Sequence, residues 1–448
     1  MKISLIKNKV NPVDISVGSA RTCYSVNLKT PDSISKWSGK KGLLLDLFKS
    51  GHHTTLQHVN FTFQMEGISR LSIWRFFHSH RFYNSDQVSQ RYTEVNESLF
   101  KSFNNSDIDS YHNSLIEKYY DLIRILTPIY ENSSNKVVVK NAKKHAMENA
   151  RYILPQSVLA NMYHTINLST LLRYKASLKF NVDCNEEISE IVNLMVQSVI
   201  NAYPDLSEIF NYVDSQSKKI KSNNLFEIQS EKLLSILLCQ DKPSKLIDHS
   251  GFVSNVNNNF PGDNMGLSAL FNSEAGLENF TFNLKLSLSA DSQNQRHRTA
   301  YSIRPELGVL LKHNCHEYYI PDIFHENEEA MEIYSAAINE SKVIISKNEI
   351  LAPYLLLNGY VIAIKEVNSC LDFVHKSEKR LCLNSQEEIT KMTWNMVESL
   401  IKNSITADFG KKLAPPCYHR YIEGINPICP EGSRFCGVKE WKNHKYEN

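Results

Sequence analysis

The feature that most narrows the fold is that the chain carries itself twice. VNFTFQM (Val59–Met65) is matched by ENFTFNL (Glu278–Leu284), and each is followed by an Arg/His cluster, His80-Arg81 in the first half and His297-Arg298 in the second. Further on, NEEISEIVNLMVQSV (Asn185–Val199) parallels QEEITKMTWNMVESL (Gln386–Leu400), and Asn167 and Asn368 precede their Glu-Glu-Ile by the same distance. One such match is within the reach of chance; three in one order are not. A repeat of about 200 residues is far longer than a solenoid unit, so the reading is a duplicated domain.

Both VNFTFQM and ENFTFNL alternate apolar and polar residues, as half-buried strands do. Apolar spacing near 3.6 predicts helices over Asn113–Leu126, Leu154–Leu178, Glu186–Ala202, Glu328–Ile345 and Ser385–Lys402. Each copy is therefore expected to be an α+β domain, an antiparallel sheet packed with long helices. The polar, basic stretch SQSKKIKSNN (Ser215–Asn224) reads as the linker, which divides the chain into domains 1–222 and 223–448.

Charge and composition exclude several classes. The formal net charge is only +2, so no global field points to nucleic acid or an anionic membrane, and any anion site must be local. No apolar run reaches the length of a membrane span. Nine scattered cysteines, an odd count, favour a reduced, cytoplasmic protein over a disulfide scaffold. There is no GxxxxGK[ST], no GxGxxG after a strand and no HExxH, and with only 15 glycines a glycine-rich phosphate loop is not expected. Near the C-terminus, Cys417, Cys429 and Cys436 with His419 could hold a tetrahedral zinc ion; a loop with free thiols is the simpler reading, and no metal is expected.

Two basic segments remain. HSHRFYNSDQVSQRY (His78–Tyr92) offers His80, Arg81, Ser89 and Arg91; QNQRHRTAYSIRPEL (Gln293–Leu307) offers Arg296, His297 and Arg298. Guanidinium forks and a hydroxyl suit a phosphate. The alternative is a solvated basic helix end or a salt-bridged face.

At these residues the chain resembles the flavin-dependent thymidylate synthases. GHHTTLQHVNFTF, HRFYNSDQVSQRY, ARYILPQ and INLSTLL follow that family's order in the first half, and LENFTFN, QNQRHRT and FVHKSEKRLCLNSQEEI do so in the second; the closing PPC…CPEG…CG is similar to a tail on some members. The resemblance implies conversion of dUMP to dTMP with FAD, methylenetetrahydrofolate as one-carbon donor and NADPH as reductant. Single-domain members are homotetramers whose sites lie between subunits, so a homodimer of two-domain chains would imitate them.

Carried over residue by residue, the resemblance splits the site between the copies. The first copy keeps Gln87, Ser89, Gln90 and Arg91 for the nucleotide and Arg151 as a second phosphate-side arginine, but has Ser79, Phe76 and Lys179 where the Arg-His-Arg arginine, its upstream glutamine and the helix arginine belong. The second copy keeps Gln293, Arg296, His297, Arg298 and Arg380, with His375 at a flavin-side position, but has Glu306 and Gly308 in place of the Ser-x-Arg segment. Matching Pro353 to Pro155 would set Glu349 opposite Arg151. The resemblance thus implies dUMP binding by Gln293, Arg296, Gln87, Ser89, Gln90, Arg91, Arg151 and Arg380, with Arg380 and Arg296 beside the uracil. It implies FAD binding by Arg296, His297, Arg298, His375, Gln87, Thr54, His80 and Arg81. His52 and Gln57 would also line the flavin or folate face, and ordinary structural roles stand equally open for His52 and His58. Two other readings compete: an enzyme that methylates or hydroxymethylates another pyrimidine nucleotide, and a degenerate homologue that only binds.

Overall fold

The computed structural model describes residues 1–179, 183–217, 225–239, 244–250 and 278–442. The alternating stretches are strands: β2 (Asn60–Ser69) buries Phe61, Phe63 and Met65, and β6 (Asn279–Ser287) buries Phe280, Phe282 and Leu284. Around each, antiparallel strands build a four-stranded sheet. The first has the order β1-β2-β4-β3, with β1 Lys2–Ile6, β3 Asn84–Gln87 and β4 Leu159–Asn167. The second has the same order, β5-β6-β8-β7, with β5 Ser244–Ser250, β7 Tyr301–Ile303 and β8 Val361–Ser369. The duplication read from motifs is therefore a duplication of topology, and the α+β class holds for both copies.

The shared Glu-Glu-Ile motif has a shared task. Glu187, on helix Asn185–Ala202, accepts hydrogen bonds from the main-chain N–H (2.9 Å) and hydroxyl (2.8 Å) of Ser69. Glu388, on helix Glu387–Ile401, does the same for Ser287, at 2.6 Å each. Each serine ends its central strand and caps the helix that follows, so the glutamate fixes the strand-to-helix corner.

The copies differ by single residues. β2 has a bulge between Met65 and Ile68, and the helix after it opens into a π-helical turn, Ile73–Phe77. β6 pairs with β8 in unbroken register. Each irregularity adds a residue to the first copy ahead of its His80-Arg81 cluster.

Four expected helices are present, three of them longer than expected, Ser106–Glu131, Asn185–Ala202 and Glu328–Lys347, and one shorter, Glu387–Ile401. The expected helix Leu154–Leu178 is a correction. Its first half is β4, in which Ala160, Met162, His164 and Ile166 are buried at a spacing of two, and only Leu168–Ser177 is helical. Of the expected linker, Ser215–Ser217 close a helix (Ser207–Ser217), and the rest, with the 222/223 boundary, lies outside the described residues.

The chain forms two compact units, which are not the two halves of the sequence. The first is Met1–Ser89, Leu99–Lys101 and Ser157–Asn224; the second is Gln90–Ser98, Ser102–Gln156 and Leu225–Asn448. The first has a core of β2, β4 and helix Asn185–Ala202, including Phe61, Phe63, Ile166, Ile191 and Met195. The second takes in helix Ser106–Glu131 from the first copy. That helix is capped by Asn105 and buries Ile108, Tyr111, Leu115, Tyr119, Leu122 and Leu126 along one stripe. It lies against Glu328–Lys347, where Ser114 and Lys118 both reach Glu340 at 2.8 Å. The strip Tyr152–Gln156 then runs antiparallel to Leu356–Gly359, through Gln156 N–H to Leu356 O (2.9 Å), Asn358 N–H to Leu154 O (2.8 Å) and Gly359 N–H to Tyr152 O (2.9 Å). No helix of the described residues is long and apolar enough to cross a membrane.

Register also corrects the match of Pro353 to Pro155. Leu159 lies opposite Ser69, and Val361 opposite Ser287, the equivalent strand end. Counting back from there sets Leu357 against Pro155 and Pro353 against Arg151. The second copy has a proline where the first has its arginine.

Candidate functional site

Within the second unit, side chains from both copies of the sequence meet. Arg151 enters on the short 3-10 turn Arg151–Ile153 after helix Ala142–Ala150, and Arg91 follows the end of the nucleotide-like segment. Arg380 is the last residue of helix Cys370–Arg380, and Arg296 follows the short helix Leu288–Asn294. Arg91 donates through Nε to Glu148 and through Nη2 to the carbonyl of Asn384, at 2.9 Å. Arg380 donates through Nη2 to the carbonyl of Gln293, at 2.7 Å.

The electrostatics record the crowding. Arg380 is pushed down to about 10, first by burial and then by Arg296 and Arg91. Arg151 is also lowered, by burial above all, with Glu148 pulling the other way. At about 10, Arg380 stays protonated at neutral pH. Arg151 is only 6% exposed, and its Nε and Nη2 have no hydrogen-bond partner in the structure; the same is true of Arg380 Nε and Gln90 Nε2. A buried charged donor without an acceptor costs free energy, about 1–3 kcal/mol and more when charged. The donor set, forked and cationic, fits a phosphate or an electron-rich heterocycle.

A relay of hydrogen bonds holds the floor of this group. The Gln293 side chain donates to Gln386, Gln386 donates to the hydroxyl of Tyr152, and Tyr152 donates to Glu388 at 2.8 Å. Asn358 is a second hub, donating to Gln90 Oε1 (3.2 Å) and the Arg151 carbonyl (2.9 Å) and accepting from Gln156 (2.8 Å). Behind Arg296, the His297 imidazole lies edge-on to His375 at 5.9 Å. Burial, then Arg380, Lys376, His375 and Arg296, hold it well below the usual histidine range, so it is neutral.

Of the residues singled out by sequence, Gln90, Arg91, Arg151, Gln293, Arg296, His297, Arg298, His375 and Arg380 belong to this unit. Thr54, His80, Arg81, Gln87 and Ser89 belong to the first. There His80 bonds the Tyr174 hydroxyl at 2.7 Å, and burial and Arg173 lower it to about 4. Tyr174 also meets His164 at 3.0 Å, and Phe76 and Phe77 pack on its ring. Among the described residues no group of three or more His, Cys, Asp or Glu side chains is placed to hold a metal. The Cys436 thiol turns to the carbonyl of Val438 at 3.6 Å, and His419 is engaged with the main chain of Ala414.

Sequence reasoning missed Glu148, Tyr152, Asn358 and Gln386. Glu148 stands three residues before Arg151, the spacing at which helical side chains meet, and that signal was available. Neutral amides and a lone tyrosine carry no such pattern.

Comparison with known proteins identifies the family. The sequence profile of the family described as "Thymidylate synthase complementing protein" matches residues 4–205 and 272–404, one segment in each half. The chain belongs to that family. Among curated relatives, the flavin-dependent thymidylate synthase of Clostridium tetani is 29% identical over 220 residues, covering 46% of this chain and 85% of that protein. Its counterpart in Thermosipho africanus is 24% identical over 165 residues, covering 36% and 69%. Among solved structures, thymidylate synthase X from Helicobacter pylori, with FAD and dUMP, aligns with a TM-score of 0.35 at 19% identity over 48% of this chain and 99% of that one. A UMP/dUMP methylase from Streptomyces cacaoi aligns with a TM-score of 0.32 at 17% identity, over 47% and 94%. This member of the thymidylate synthase complementing family contains two four-stranded antiparallel sheets of the same strand order, and Arg91 and Arg151 of one half of the sequence belong to the same unit as Arg296 and Arg380 of the other.

Proposed function

We propose that the chain is an FAD-dependent thymidylate synthase that converts dUMP to dTMP with methylenetetrahydrofolate and NADPH, in composite sites drawing on both copies. The observation that carries this reading is Arg151, fully buried, with two guanidinium nitrogens open, in one unit with Arg91, Arg296 and Arg380. Arg91 and Arg151 hold the phosphate, with Glu148 fixing Arg91 from the side, and Gln90 adds an amide from the same unit. Arg380 and Arg296 sit by the uracil. Uracil must become electron-rich at C5 to accept a carbon, and a preset guanidinium near N3 and O4 stabilises the charge without reorganising. Arg380, lowered only to about 10, keeps its charge through the neutral range. His297, neutral and with Nε2 open, serves as a hydrogen-bonding group rather than a cation. The residues of the second unit suited to the flavin are Arg296, His297, Arg298 and His375; bound FAD would supply the redox and one-carbon transfer chemistry. No thiolate is required, and burial pushes up the thiol of Cys382, two residues past Arg380. The working assembly is a cytoplasmic homodimer.

Purified protein should be yellow, take up FAD and form dTMP from dUMP; protein that takes up no FAD refutes the reading. Formation of product from UMP but not dUMP would move the substrate to another pyrimidine nucleotide.

A further inference from the structure

One buried ion pair has no part in the scheme above. Glu366 in β8 is 1% exposed and Lys376 in helix Cys370–Arg380 is 0% exposed, and they are bonded to each other. Taking two charges out of water is costly, and a neutral pair of similar size often serves a fold equally well.

The chain supplies its own comparison. Glu366 lies opposite Phe282 in β6 and Ser302 in β7; His164 lies opposite Phe63 in β2 and Ser85 in β3, the same places in the first sheet. Ten residues on from each stands its partner, Lys376 or Tyr174. The copy that lacks the Arg-His-Arg arginine thus joins strand to helix with an imidazole–phenol bond. The copy that keeps it uses a carboxylate and an ammonium. The fold does not require the charges.

What Glu366 does besides pairing is specific. It accepts from Asn294 at 2.7 Å and from Asn368 at 2.9 Å. Asn294 ends the helix that leads into Gln295-Arg296-His297-Arg298, and the Gln293 carbonyl before it receives Arg380. Lys376 sits one helical turn before Arg380 and next to His375. One carboxylate therefore ties down both segments that carry the second copy's site residues.

We propose that Glu366 and Lys376 are positioning residues that set the Gln293–Arg298 turn against the His375–Arg380 helix end, and so set the flavin-side geometry; this rests on the function proposed above. Two paired variants test it. Glu366→His/Lys376→Tyr installs the first copy's own imidazole–phenol pair, and Glu366→Gln/Lys376→Met keeps shape without charge. Both should keep the parent's melting temperature. Amide exchange should accelerate locally over Gln293–Arg298, the absorption band of bound flavin should shift, and turnover should fall by about tenfold or more, as misplacement of reacting groups does. Variants that match the parent in exchange, flavin band and turnover overturn the proposal, and so does a uniform rise in exchange with a lowered melting temperature, which marks a purely structural pair. If the parent itself takes no flavin, the function proposed above fails, while local exchange over Gln293–Arg298 still decides for or against the positioning role.

Discussion

Arg151 is a residue whose removal should help the fold and harm the function. It is a buried cation with open donors, so Arg151→Met relieves a desolvation cost while Glu148 keeps its bond to Arg91. Thermal stability should hold or rise, while dUMP affinity falls by roughly 10- to 100-fold, the worth of charged hydrogen bonds; titration calorimetry and melting curves read the two effects separately. Gly359 tests the packing beside it. A Cβ there would meet the Tyr334 hydroxyl at 2.1 Å and the Tyr152 carbonyl at 3.3 Å. Gly359→Ala should lose about 1–3 kcal/mol in urea unfolding, the usual cost of overpacking. Arg91, Arg151, Arg296 and Arg380 were legible in the sequence as candidates because guanidinium-bearing motifs keep their order. Tyr152, Gln386 and Asn358 were not, because their roles arise from contacts between segments far apart in the chain.

At the scale of elements, the central strands and the Glu-Glu-Ile helices were legible because their periodicity is strong and both copies repeat it. β4 was misread because its neighbour, Leu168–Ser177, is a helix of similar apolar content, so one window spanned both periods. The bulge and the π-helical turn were invisible, since one extra residue leaves no mark on composition. They matter because the segment after them, in the first copy, ends in the His80, Tyr174 and His164 bonds rather than in an Arg-His-Arg turn. That stack is packed by Phe76 and Phe77, whose rings lie against Tyr174. Flavin titration followed by absorbance should therefore saturate at one FAD per chain; saturation at two would show that the first copy also holds the cofactor.

For the whole molecule, the histidines held below their ordinary range set an acid limit. His80 and His112 are both lowered to about 4 by burial, and His145, His297, His316, His375 and His419 are lowered as well. Between those values and the ordinary 6.5 the unfolded chain binds more protons than the folded one, so stability rises with pH there. It is complete above about pH 6.5 and is lost as pH falls towards 4, with His80 and His112 each contributing on the order of 3 kcal/mol or less. Melting temperature should fall steeply over that window, and a flat profile would contradict the burial. Catalysis offers a second whole-chain test. Because Arg91 and Arg296 belong to one unit of one chain, mixing the inactive Arg91→Ala and Arg296→Ala proteins should restore no dTMP formation. Recovery of activity on mixing would mean that chains complete one another's sites.

The lodging of residues 90–98 and 102–156 in the second unit has a consequence for descent. A duplicated gene ordinarily can shed either copy and return to its ancestor. Here a break at the midpoint would strand helix Ser106–Glu131 and the strip Tyr152–Gln156 on the wrong fragment, and neither fragment would own a full set of arginines. The doubling has become a one-way step, in which two ancestral genes' worth of sequence must be inherited as a single unit.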